Sequence, residues 1–219
     1  MYLPLNVRLR NKKCLVVGCG KVAVRKIRSL VKAGAVVLVV SNKISSSARK
    51  IFKGVQVEFK RKMFSPLDLK GVFFVVCATD DRSLNSFVSR ECRKRNILVN
   101  VVDSLDLSDV IFPAYLKQGS LVISINTSGV SPALSRKIRD GLKKYFTNEY
   151  GIILKELLAI RKKVQQEVSC LRTRKKIFKS LTDIDFFRGD NGKKSKNKLK
   201  KKIKEFYDNY AHNYVRIKS

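Results

Sequence analysis

Residues 13–34 constrain the fold more than any other stretch. They read as an apolar strand around Leu15, Val16 and Val17, a Gly18-x-Gly20-x-x-Ala23 turn, and a helix closed by Gly34. The order has a physical reason. Gly18 lets the chain turn tightly out of the strand, Gly20 lets bare backbone approach a pyrophosphate, and Ala23 is small enough for the helix to lie close on a sheet. The free N–H groups at the helix start, at Lys21 and Val22, face negative phosphates. Ala23, Ile27, Leu30 and Val31 recur at helical spacing, so the turn sits in the strand-to-helix context that a dinucleotide site needs.

Strands and helices go on alternating. Residues 35–40 form a second apolar strand ending at Ser41, Asn42 and Lys43. An NAD site commonly carries an acid here for the ribose hydroxyls, and this chain has none. Asn42 is able to hydrogen-bond a ribose, while Lys43 suits a 2′-phosphate, so the spacing alone leaves NAD and NADP both open. A short helix is predicted over 45–53, strands over 55–59 and 72–78, then a polar turn with Thr79, Asp80 and Asp81. A helix with Leu84, Phe87, Val88 and Cys92 on one face follows, then a strand over 97–102 ending at Asp103. The fold class is α/β, with a Rossmann-type parallel sheet whose ligands gather at the strand carboxyl ends, where Gly18, Asn42, Thr79, Asn100 and Asp103 would stand. Gly18, Gly20, Lys21, Val22, Asn42, Lys43, Thr79 and Asp80 are the candidate cofactor-binding residues.

Beyond Asp103 the pattern changes. Residues 110–116 and 121–126, around a Lys117-Gln118-Gly119-Ser120 turn, read as a hairpin. A polar bend at Thr127, Ser128 and Gly129 leads to Ser131 as N-cap and Pro132 as first helical residue. Leu134, Ile138, Leu142, Tyr145 and Phe146 mark one apolar face of that helix. A hairpin with one helix is too small for its own core, so it should pack on the sheet or, as the favoured reading, on a second copy. From residue 150 the chain reads as helical, with Ile153, Leu157, Ile160, Val164, Val168 and Leu171 in one buried stripe. The expected organisation is a Rossmann domain over 1–112, a small α+β dimerisation segment over 113–149 and a helical region over 150–219.

The chain carries 48 Lys and Arg against 17 Asp and Glu, a formal charge of +31. The excess is spread along its length, with a local lysine run over 193–204 that reads as a solvated basic tail or a polyanion contact. Nucleic acid is a partner only through that tail, and a non-catalytic dinucleotide- or tetrapyrrole-binding protein with such a tail is the alternative to an enzyme. Five cysteines with no C-x-x-C pair fit a reducing compartment. No apolar run reaches the roughly 18 residues a membrane span requires, and no signal-peptide core opens the chain, so a soluble cytoplasmic protein is expected. The single histidine, His212, belongs to no His/Cys/Asp cluster, so no dedicated metal site is predicted.

Together these segments resemble the precorrin-2 dehydrogenase family, the amino-terminal module of siroheme synthases, some members of which are also sirohydrochlorin ferrochelatases. The resemblance rests on YLPLNVRLRNKKCLVVGCGKVAVRK near the start, CATDD at 77–81, NVVD at 100–103, FPA at 112–114 and SINTSGVSPALSRKIR at 124–139. It implies NAD as cofactor, oxidation of precorrin-2 to sirohydrochlorin, Fe²⁺ as a second substrate in bifunctional members, and a homodimer. It also implies a catalytic role for Asp103, with Asn100, Thr127, Ser128 and Arg136 as substrate contacts. Ser128 precedes Gly129 where many members carry two glycines. At this length, the methyltransferase domain of the longest siroheme synthases is expected on another protein.

Overall fold

The computed structural model describes residues 2–44, 46–54 and 57–182, with 201, 204, 205, 208 and 209. Most of the lysine run, and His212, lie outside the described residues. The chain divides into two compact units, Met1–Phe112 and Pro113–Ser219.

The first unit holds five parallel strands in the order β3-β2-β1-β4-β5. They are β1 (Lys13–Val17), β2 (Val36–Val40), β3 (Val57–Lys60), β4 (Phe74–Cys77) and β5 (Leu98–Val101). The inner strands are continuous apolar runs because both of their faces are covered. Leu15, Val17, Val75 and Cys77 pack with Val88 and Cys92 of α3 (Arg82–Arg93) on one face. Cys14, Val16, Val37 and Val76 pack with Ala23, Ile27 and Leu30 of α1 (Lys21–Lys32) on the other. The edge strand β3 instead alternates half-buried Val57 and Phe59 with exposed Glu58 and Lys60, which blunts the edge against pairing with another chain. It begins two residues later than its expected start at 55, and residues 55 and 56 lie outside the described set.

Helix α1 ends as its sequence requires. Gly34 N–H donates to the Val31 carbonyl and Ala35 N–H to the Leu30 carbonyl, the paired bonds of a Schellman stop. A short α2 (Ser46–Ile51) and one turn of 3₁₀ helix (Pro66–Leu69) complete the connections. In that turn Asp68, only 8% exposed, accepts from the Ser65 backbone N–H and pairs with Lys62 at 2.7 Å.

The second unit holds an antiparallel hairpin, β6 (Ala114–Gln118) and β7 (Leu121–Ile125), with α4 (Pro132–Leu142), α5 (Asn148–Glu167) and α6 (Leu171–Thr182). The hairpin starts later than the expected residue 110, and Lys117 and Gln118 belong to its first strand. Within the second unit it packs on α5 as well as α4. The reason is a glycine contact: a Cβ at Gly119 would stand 2.7 Å from the Cα of Gly151 on α5. The apolar face expected on α4 is exposed at Leu134 and Ile138, and the helix ends at Leu142, short of exposed Tyr145 and half-buried Phe146. The helical stripe also needs correcting at its end. A break after Glu167 resets the helical phase, so Val168 still packs on Val164, Ile177 and Leu181 while Leu171 points outward, 70% exposed.

Candidate functional site

Past the carboxyl ends of β1 and β4 the first unit opens a cavity of about 1030 Å³, walled by residues 17–22, 40–44, 61–64 and 78–81. Open parallel sheets bind ligands at this switch point. Gly18 makes it: its φ is +99°, and a Cβ there would sit 2.3 Å from the Ala78 carbonyl oxygen. No other residue lets the two strand ends come so close. Gly20 has extended backbone and faces open space, with nothing within 4 Å of where its Cβ would be. It is the N-cap of α1, no side chain caps the helix, and the first turn carries no acid. The first N–H groups of the helix are therefore unclaimed, beside exposed Lys21. A cradle of open space at Gly20, uncapped helical N–H groups and a volume of this size fit the pyrophosphate of a dinucleotide.

All eight candidate cofactor residues, Gly18, Gly20, Lys21, Val22, Asn42, Lys43, Thr79 and Asp80, line this cavity. They divide by what their polar groups are doing. The Thr79 hydroxyl is spent within the loop, donating to Asn85 Oδ1 at 2.6 Å, while Asn85 Nδ2 donates back to the Thr79 carbonyl at 3.1 Å. Thr79 thus shapes the wall, and Asn85, which sequence reasoning missed, holds it. The available signal was a buried amide on the core side of α3. Asp81 caps α3 by accepting from Leu84 N–H at 3.0 Å. Asn42 presents its carbonyl to Arg61 Nε at 3.2 Å, and Arg61 is a second residue that the sequence reading missed.

Asp103 stands apart from the cavity lining, two residues past β5 in an exposed turn with φ +60°. Its carboxylate accepts no hydrogen bond from the described residues. The charge that faces it is Lys26 of α1, whose ammonium lies 3.8 Å from the centroid of the Phe112 ring. Burial pushes the Lys26 amine down to about 8, Arg25 adds to the shift and Asp103 opposes it. Asn100, expected as a substrate contact, is buried on β5: its Nδ2 donates to the Val110 carbonyl at 2.8 Å and its Oδ1 has no hydrogen-bond partner among the described residues. In the second unit, Thr127 Oγ1 lies 3.2 Å from Ser135 Oγ and accepts from Ser131 N–H. Ser128 turns with φ +51°, and Arg136 is exposed on α4.

The cysteines give a direct test of cavity occupancy. Burial pushes the thiols of Cys14, Cys77 and Cys92 up to about 11, 12 and 12, so they are inert in the folded state. Cys19 lines the cavity and Cys170 is exposed. A maleimide is expected to label these two thiols in the native protein, and saturating dinucleotide to reduce the label to Cys170 alone, read by peptide mass spectrometry. Undiminished labelling of Cys19 would place the dinucleotide elsewhere.

Among the described residues no group of three or more His, Cys, Asp or Glu could hold a metal ion, and no helix is long and apolar enough to cross a membrane. A family model described as putative NAD(P)-binding matches residues 5–114. The chain is 34% identical over 174 residues to a siroheme synthase of Methylococcus capsulatus, covering 80% of this chain and 37% of that one. It is 40% identical over 150 residues to a siroheme synthase of Pseudomonas fluorescens, covering 68% of this chain and 32% of that one. The chain thus spans less than half the length of these curated relatives. A solved structure of SirC, a precorrin-2 dehydrogenase, superposes with a TM-score of 0.74 at 27% identity, covering 94% of this chain and all of that one. The glycine cradle, the strand order and these matches lead to one assignment: the chain belongs to the NAD(P)-binding family, as the module that precorrin-2 dehydrogenases share with the amino-terminal part of siroheme synthases.

Proposed function

We propose that the protein is an NAD-dependent dehydrogenase that oxidises precorrin-2 to sirohydrochlorin. The observation that carries the reading is the pairing of a dinucleotide cradle at Gly18 and Gly20 with a free carboxylate, Asp103, at the end of β5 in the same unit. The dinucleotide, when bound, supplies the hydride acceptor. The remaining work falls to the chain. Removing two hydrogens as hydride and proton leaves a proton to be taken up, and Asp103 has the unclaimed lone pairs for it. Lys26 contributes positive charge near that carboxylate and near any carboxylate of a polyanionic tetrapyrrole. Its ring contact with Phe112 fixes where the charge stands.

The same proton acceptor suits Fe²⁺ insertion, in which pyrrole nitrogens shed protons while the macrocycle itself supplies the ligands. That second activity is part of the proposal, with iron as substrate. Thr127, Ser128 and Arg136 are proposed as substrate contacts. A homodimer is proposed on the apolar face of α4, where Leu134 and Ile138 are exposed among the described residues. A cytoplasmic setting accords with five cysteines that include no C-x-x-C pair.

The test is anaerobic mixing of the purified chain with NAD and freshly generated precorrin-2. The absorbance of sirohydrochlorin should grow in step with reduced cofactor. A folded preparation that binds the dinucleotide yet forms no sirohydrochlorin defeats the reading.

A further inference from the structure

One half-buried charge in the first unit is not spent on holding the fold. Lys26 lies on α1 just before buried Ile27, outside the lining of the dinucleotide cavity. Its ammonium forms no ion pair and no hydrogen bond with the described residues, and rests instead 3.8 Å from the centroid of the Phe112 ring. Phe112 is held in turn against Phe74, the first residue of β4, with ring centroids 5.9 Å apart. An aromatic face attracts a cation but leaves its N–H donors unclaimed. A charge kept from water without a hydrogen-bonding partner is costly, and burial accordingly pushes the amine down to about 8.

The surroundings define what would claim those donors. The charges that act on the amine are Arg25 of the same helix, which adds to the fall, and Asp103 past β5, which opposes it. Asp103 is thus near enough to be felt and yet unpaired with Lys26, and its lone pairs are the ones assigned to the proton. The aromatic neighbours are apolar, and Asn100, beside Val76 in the β4–β5 register, is neutral and gives its amide to the Val110 carbonyl. No anion of the unit completes the site, so the anion is a ligand's. Of the two reactants, the dinucleotide carries its phosphates to Gly20 in the cavity, which Lys26 does not line. The tetrapyrrole brings carboxylates, and an ammonium binds a carboxylate as a compact point charge.

We propose that Lys26, seated on the Phe112 ring, binds one side-chain carboxylate of the tetrapyrrole and thereby fixes which edge of the macrocycle meets Asp103. The inference rests on the tetrapyrrole reading above and adds to it a carboxylate site outside the dinucleotide cavity. The labour is then divided, with Asp103 taking the proton and Lys26 setting the orientation. The anchor is also titratable. Its amine is held below the ordinary lysine range, so the ammonium persists below about pH 8 and is lost above it, while the ligand's carboxylates stay ionised throughout. The grip on the tetrapyrrole therefore loosens as pH rises through that value.

Equilibrium titration of the full chain with sirohydrochlorin, followed anaerobically by its absorbance, tests this apart from turnover. Lys26→Met keeps an unbranched stem on Phe112 and removes the charge. It should weaken sirohydrochlorin by about tenfold or more, while NAD⁺ binding, which also verifies the fold, stays within about threefold. Lys26→Arg returns a cation and should recover most of the lost affinity. The wild-type affinity should fall between about pH 7 and about pH 9, whereas that of Lys26→Arg, whose guanidinium stays charged, should hold level. Unchanged sirohydrochlorin binding in Lys26→Met, a wild-type affinity that does not move over this range, or a fall that persists in Lys26→Arg overturns the inference and leaves the dehydrogenase reading intact. If the wild-type chain binds no sirohydrochlorin at all, the tetrapyrrole reading itself fails and the anchor goes with it.

Discussion

Gly18→Ala is expected to abolish stable folding of the first unit, whereas Gly20→Val leaves the unit folded and removes dinucleotide binding. The two glycines are neighbours in one turn, and the difference lies in what surrounds them. At Gly18 a side chain meets a φ of +99°, which costs roughly 1–3 kcal/mol by itself. The added carbon would also stand 2.3 Å from the Ala78 carbonyl oxygen, a backbone atom at the end of β4. That strand end cannot withdraw cheaply, because Ala78 N–H donates to the Val17 carbonyl at 2.8 Å and Gly18 N–H to the Val40 carbonyl at 2.9 Å. Relief requires separating central strands of a sheet in a unit whose total stability is on the order of 5–15 kcal/mol. Gly20 has extended backbone that any residue adopts and no atom within 4 Å of a Cβ. Valine there occupies only the space the pyrophosphate would use. Urea denaturation followed by dinucleotide titration reads both results. A folded Gly18→Ala protein of near-normal stability, or a Gly20→Val protein that binds normally, would refute the account.

The second large effect is expected at Asp103. Asp103→Asn should lower kcat for sirohydrochlorin formation by about 10²- to 10⁴-fold, the usual worth of a positioned proton acceptor, with dinucleotide affinity unchanged. Asparagine is the informative substitution. The residue has φ +60°, a conformation that Asp and Asn tolerate and alanine resists, so Asp103→Ala would mix lost chemistry with backbone strain. Full turnover in Asp103→Asn would remove the carboxylate from the mechanism and leave the dinucleotide site standing.

The sheet was legible because inner strands of a parallel sheet are buried on both faces and so appear as unbroken apolar runs, as in Leu15-Val16-Val17 and Phe74-Val75-Val76. The glycine cradle was legible for a different reason, since backbone geometry there restricts residue type directly. Arg61 escaped notice because nothing local marks it. It becomes a neighbour of Asn42 only through the β2–β3 register, a long-range fact. Periodicity marked Leu134 and Ile138 as a stripe on α4, but a stripe reports apolarity and not what covers it, and among the described residues both stay exposed. Leu171 was misassigned because the break after Glu167 resets the helical phase.

The pairing pattern of the first sheet also dictates how the chain must assemble. Every ladder is parallel, so no strand pairs with a sequence neighbour through a tight turn, and β1 bonds to β2 on one side and to β4 on the other. During synthesis β1 emerges first, yet its β4 edge stays open until the whole β2–α2–β3 excursion has been made. Such late closure makes folding slow and leaves an apolar ribbon exposed to other nascent chains. The Lys and Arg side chains at 21, 25, 26, 28 and 32, on the helix that follows at once, supply like-charge repulsion between copies during that interval.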